Sequence, residues 1–295
     1  MVDDQLPNPL PNPLAVTAAA MTAKDLQALH AAVQLLEHTS LAARLSQVVG
    51  KPIELIGHAV PQAAADTIAA ATTTALNAAL KAALATMQNR GPLPSPPPRA
   101  AEGKGGRLLH KALATASGAI GGSLGLVTAP LEIPISTVIM LRSIADIARS
   151  EGENLSEPDA ALACVQVFGL GARPTTGAAA ESGYFAVRGL LAKSITEAAR
   201  FIAERGVVEE GAPILVRFVS QIAARFGVVV SQKLAAQTLP LVGALGGAVV
   251  NYAFIDHFQD VARGHFTVRR LERRYGVDRV RHHYHRMAGE RRAAR

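Results

Sequence analysis

ALATASGAIGGSLGLVTAPL, residues 112–131, carries no charged side chain, and its reading decides the fold class. Its upstream alanines, Ala112, Ala114, Ala116 and Ala119, favour helix. Alanine loses no side-chain entropy there, whereas strands favour β-branched and aromatic residues. Gly118, Gly121 and Gly122 fall at i, i+3 and i+4 on one helix face, followed by Gly125. Without a Cβ at those positions another backbone can come unusually close. A second uncharged stretch, Leu234 to Ile255, repeats the pattern: Gly243-Ala244-Leu245-Gly246-Gly247 matches Gly118-Ala119-Ile120-Gly121-Gly122. Together they predict an all-α multi-helix bundle with two glycine-rich apolar helices packed closely in the core.

Composition agrees. Of 295 residues, 49% are hydrophobic but only 4% aromatic, with no Trp. Charged residues make up 18%, below the usual ~25%, which excludes disorder over the whole chain. A single cysteine, Cys164, excludes an intrachain disulfide framework and a cysteine zinc cage. Val228-Val229-Val230 is the one strand-like patch, too short to support a sheet.

Breaker residues divide the chain. Residues 1–22 read as a disordered arm, acidic and then proline-rich, with neither the basic start nor the apolar core of a secretory signal, which predicts a cytoplasmic protein. Residues 23–88 read as an N-terminal helical hairpin, its first helix spanning about Ala23 to Gln47 and stopped by Gly50 and Pro52. Pro92, Pro94, Pro96-Pro97-Pro98 and three glycines mark 89–106 as a linker. Residues 107–288 form the helical body, ending in basic helices broken at Gly276, and 289–295 a tail.

The formal charge of +7 sits at one end. From Arg263 onward there are eleven Arg and no Lys against Glu272, Asp278 and Glu290, a local +8. Clustered cations suit anionic lipid or nucleic acid, or simply a solvated helix with internal salt bridges. Arg269, Arg270, Arg273, Arg274, Arg279 and Arg281 are the expected contacts to anionic lipid. Nucleic acid fits less well, because no aromatic stacking platform or reading motif accompanies them. The two uncharged stretches reach bilayer-spanning length, but Pro130, Pro134 and Pro240 interrupt them. Spanning, burial in a soluble core and reversible surface docking all remain open at this level.

Catalytic signatures are sparse. Gly121-Gly122-Ser123-Leu124-Gly125 matches G-x-S-x-G, but that elbow needs a preceding strand, and helix-forming alanines precede it. His282, His283 and His285 lie among arginines, which repel a metal cation; no metal site and no cofactor are expected. Glu132, Arg142, Glu181 and Arg188 lie in apolar helices, where each should find a partner. With Tyr184, His257 and His265 they form either a structural network joining helices or the polar pocket of a hydrolase-like enzyme. His257 and His265, eight residues apart, share a face if Gly264 does not break the helix.

The segment LHKALATASGAIGGSLGLVTAPLEIPISTVIMLRSIADIARSEGENL (Leu109 to Leu155) resembles the EcsC protein family. So do Gly50-Lys51-Pro52-Ile53-Glu54, ESGYFAVR (Glu181 to Arg188), PLVGALGGAVVN (Pro240 to Asn251), His265-Phe266 and Arg270-Leu271-Glu272. The resemblance runs from about Ala23 to Tyr284, omitting the arm and the proline linker. The family is named after a bacterial operon that encodes an ABC transporter ATPase and its membrane partner. The resemblance therefore implies a non-enzymatic accessory factor, peripheral at the inner face of the cell membrane and partnered by that surface or a membrane protein. It carries over no catalytic residue, and it leaves any small-molecule or lipid ligand unspecified.

Overall fold

The computed structural model describes residues 20–38, 40–50, 65–88, 129–172, 183–206, 212–238 and 243–293. Among them are nine helices and no strand: α1 Ala23–His38, α2 Leu41–Val49, α3 Ala65–Gln88, α4 Ala129–Ser150, α5 Pro158–Leu170, α6 Tyr184–Arg205, α7 Pro213–Thr238, α8 Gly243–Tyr275 and α9 Val277–Ala293.

The centre is α5. Pro158 opens it, where the missing N–H has no partner to lose, and Asp159 favours the positive end of the helix dipole. Every residue from Ala160 to Leu170 is buried, as expected of a helix apolar on all sides. Helices α3, α4, α6, α7 and α8 surround it; α1 and α2 lie across α8, and α9 folds back on α8 and α1. Helix α3 packs on α4 and α7, whereas α1 packs on α8 and α9, so the two N-terminal helices join different sides of one continuous core.

A buried helix end leaves carbonyls that need donors. Arg225 on α7 supplies two, Nε to Gly169 O at 2.9 Å and Nη2 to Ala172 O at 2.8 Å. His257 Nε2 on α8 donates to Gly171 O at 2.8 Å. Around this end Phe168, Phe226, Phe254 and Phe258 interlock, with ring centroids 5.0–6.1 Å apart.

Several expectations change. The block 23–47 is two helices, because the Ser40 hydroxyl accepts from Ala43 N–H and starts α2 afresh. Gly50, at φ 67°, ends it as expected. Gly276, at φ 87°, separates α8 from α9. Val228 to Val230 are helical, within α7. The uncharged run 234–255 is not one helix: α7 ends at Thr238 and α8 starts at Gly243. Gly118, Gly121, Gly122 and Gly125, with Ser123, lie outside the described residues. Gly243 and Gly246 fall in the first turn of α8, and Gly247 is buried there.

Close approach occurs at other glycines. A Cβ on Gly264 would meet Leu36 Cγ at 2.5 Å, where α1 crosses α8. On Gly171 it would meet Phe258 Cε1 at 2.4 Å, and that ring is locked by its aromatic neighbours. Gly171→Ala is therefore expected to destabilise by ~1–3 kcal/mol through overpacking. An unchanged urea midpoint would show that the ring can yield.

Candidate functional site

The interior carries three polar clusters. In the first, Glu132 in the opening turn of α4 meets Lys233 of α7, Nζ to Oε1 2.6 Å, both side chains almost wholly buried. The ammonium also lies 5.1 Å from the Phe254 ring centroid. This pair ties α4 and α7 together against α8.

The second cluster links α6, α8, α9 and α1. Arg188 forms a two-pronged pair with Glu272, each contact 2.7 Å, and also donates to Tyr184 Oη at 3.3 Å. Tyr184 Oη is 2.7 Å from His265 Nδ1. Since arginine can only donate, the tyrosine hydroxyl is assigned as donor to Nδ1, which puts the imidazole proton on Nε2. That Nε2 is buried and has no hydrogen-bond partner. Burial, with Arg188 and Arg269 adding to it, holds His265 well below the usual imidazole range. Burial likewise pushes His257 down to about 4, against the opposing carbonyl of Gly171, so both rings are neutral at pH 7. Glu37 of α1 completes the cluster, accepting from Tyr184 N–H at 3.2 Å and Tyr284 Oη at 2.8 Å.

The third cluster absorbs the basic end of α8. Arg269 contacts Glu153 and Asp159, each at 2.8 Å. Arg270 contacts Glu151 at 2.5 Å and Asp25 at 3.3 Å. Arg273 pairs with Glu153, and Arg274 reaches Asp25 at 3.1 Å. Burial raises the Asp25 carboxyl, but hydrogen bonds from Tyr275, Thr22 and Arg270 outweigh it and hold the group below its usual value. Nothing in the sequence marked Asp25, Glu151 and Glu153 as partners, because each lies more than a hundred residues from its arginine.

Of the predicted pocket residues, Tyr184, Arg188 and His265 meet directly. His257 and Tyr184 share the wall of a cavity of about 10 Å³ with Leu36, Leu170, Gly171 and Val261, room for about one water. Glu132 belongs to a separate ion pair, Arg142 is exposed, and Glu181 lies outside the described residues. The described members of the set therefore do not converge on one cavity. Among the described residues no group of three or more His, Cys, Asp or Glu is arranged to hold a metal. Burial drives the Cys164 thiol up to about 12, far from the thiolate a nucleophile requires. Lys233 and Glu272 are the partners that sequence reasoning missed; a lone cation in the apolar run of α7 was the available signal for the first.

Past Gly276 the pattern changes. Helix α9 buries Val280, Tyr284 and Ala288 and turns Arg281, His282, His285 and Arg286 to solvent. Arg281 lies 5.8 Å from the Phe185 ring centroid, and Arg286 donates to His283 Nδ1 at 2.9 Å. Neither arginine has a carboxylate partner among the described residues. Of the six expected lipid contacts, then, four are held by internal acids, Arg279 also has a partner, and Arg281 faces outward.

No curated protein and no solved structure matches the chain. The model of the EcsC protein family matches residues 23–271, ending before α9. The chain belongs to the EcsC protein family.

Proposed function

We propose that this chain is a non-catalytic helical protein that docks reversibly on an anionic membrane surface from the cytoplasmic side, as an accessory to membrane transport. The observation that carries this reading is the outward face of α9, where Arg281 and Arg286 stand free of internal acids. Each surface cation near an anionic bilayer adds ~1 kcal/mol, enough for reversible attachment when several act together. The accessory role follows from the family's name alone.

Docking is favoured over insertion by the surroundings of the apolar helices. Two stretches, Ala65–Ala85 of α3 and Pro213–Gln237 of α7, are long and apolar enough to cross a membrane. Half of the first and 39% of the second is buried in the bundle. Within α7, Lys233 is held by Glu132 and Arg225 by the end of α5, so extraction into lipid would strand both cations at ~2.5–3.5 kcal/mol each. These stretches read as core helices. Among the described residues Glu132, Arg142 and Arg188 do not converge on one cavity, which favours the non-catalytic reading over the enzyme alternative.

Flotation with phosphatidylglycerol-containing vesicles and with neutral vesicles tests the docking. The wild type is expected to float with the anionic set only, and Arg281→Glu/Arg286→Glu to lose that binding at least tenfold without unfolding. Equal recovery with both lipids, or an unaffected double variant, would refute the role of α9.

A further inference from the structure

Resting on that docking reading, we infer that α6 and α7 present a shallow apolar ridge, centred on Leu190 and Val228, that enters the acyl boundary of the anionic bilayer beside the α9 cations. Leu190 is 72% exposed and Val228 54%. A single exposed leucine is ordinary; a continuous apolar strip shared by two helices is not.

Leu191 of α6 and Ile222 of α7 both pack on Gly169, while Glu197 pairs with Arg217 at 3.8 Å, so the two helices run antiparallel. The register that joins Glu197 to Arg217 sets Leu190 opposite Ala224 and Ala186 opposite Val228. Ala186, Gly189 and Ala224 are exposed with them. The charged residues of these turns, Arg188 and Arg225, are engaged inside the bundle, one by Glu272 and the other by the carbonyls of Gly169 and Ala172. The strip therefore carries no charge of its own. It also explains why α7 holds an apolar stretch of spanning length of which only 39% is buried.

Cations border the ridge on both sides. Phe185 and Leu190, five residues apart, lie about 140° apart around α6. Arg281 of α9 is 5.8 Å from the Phe185 ring centroid, so α9 adjoins one edge of the exposed arc of α6 and α7 the other. At the α7 edge Glu197 is shared by Lys193 and Arg217, each at 3.8 Å, which leaves a surplus positive charge. An apolar strip between basic margins matches an anionic bilayer, whose headgroups meet the cations while its acyl chains receive the leucine. A second copy of the chain fits less well, because it would bring together two surfaces of the same surplus charge.

The chain has no Trp, so Leu190→Trp supplies a single fluorophore at the crest. With phosphatidylglycerol–phosphatidylcholine vesicles its emission is expected to shift to the blue and to be quenched by lipid brominated on the acyl chains. In sedimentation with the same vesicles, Leu190→Gln/Val228→Gln is expected to raise the lipid concentration for half-binding about tenfold. Both positions are exposed, so circular dichroism should show an unchanged fold. If the Leu190→Trp chain binds but its indole stays unquenched, or if the double Gln variant binds as the wild type does, the ridge is overturned and α9 docking stands. If light scattering finds the wild type dimeric and the double variant monomeric, the strip is a contact between copies and the ridge is likewise overturned. Absence of wild-type binding overturns the docking reading and this inference with it.

Discussion

Lys233→Met is expected to lose ~3–5 kcal/mol of stability, the largest single-residue effect in this chain. The substitution keeps most of the side chain's volume, so the loss reports on what is left behind. Glu132 is almost fully buried, in the first turn of α4, and the Lys233 ammonium sits 2.6 Å away. Without that cation the carboxylate is charged and unpaired in the core, or must take up a proton. The double variant Glu132→Leu/Lys233→Met removes both charges and is expected to regain most of the loss, because exchanging a buried pair for apolar groups is often neutral. Urea denaturation of wild type, single and double variants gives the comparison. If the single variant lies within 1 kcal/mol of wild type, water reaches Glu132 and the pair is not a structural tie.

Acid should unfold the protein steeply. His257 and His265 are neutral when folded and free to protonate when unfolded, so between the two states the unfolded chain binds more protons. Stability is then complete above about pH 6.5, the unfolded imidazole value, and falls as pH drops towards the folded values; for His257 that window extends to about 4. Two such groups give a slope of ~2.7 kcal/mol per pH unit. Against a total of ~5–15 kcal/mol this removes a large share of the stability before the window closes. Urea midpoints at pH 7.0, 6.0 and 5.0 measure the slope, and His257→Gln, whose amide can still serve Gly171 O, should roughly halve it. A midpoint independent of pH over that interval would mean that one or both rings are charged inside the fold.

These two predictions rest on residues that the sequence reading treated unequally. The apolar runs placed Glu132, Arg188, His257 and His265 in a helical interior and required partners for them, which is a local inference from charge and hydropathy. It grouped Arg188, Tyr184 and His265, which do meet, but it named the ion-pair partner of neither Glu132 nor Arg188. Arg142 lies ten residues from Glu132 on the same helix, yet it faces solvent, and the partner comes from α7, 101 residues away. The basic C-terminal region shows the same limit. Eleven arginines in one tail fitted an anionic partner and internal salt bridges equally, and α8 spends Arg269, Arg270, Arg273 and Arg274 on Asp25, Glu151, Glu153 and Asp159. Past Gly276, α9 presents Arg281 and Arg286, exposed and without a carboxylate partner among the described residues.

The sequence by itself determined that this chain is all-α, where most of its helices run, and that Gly50 and Gly276 end two of them. Those properties follow from propensity, periodicity and breakers, which act within a few residues of backbone. Tertiary structure decided which glycines admit a close neighbour, Gly171, Gly183 and Gly264 among the described residues. It also decided which charges are neutralised and which face remains for a partner. Each of those depends on the distance between residues that share no local turn, and helical periodicity carries no information about which helix lies opposite.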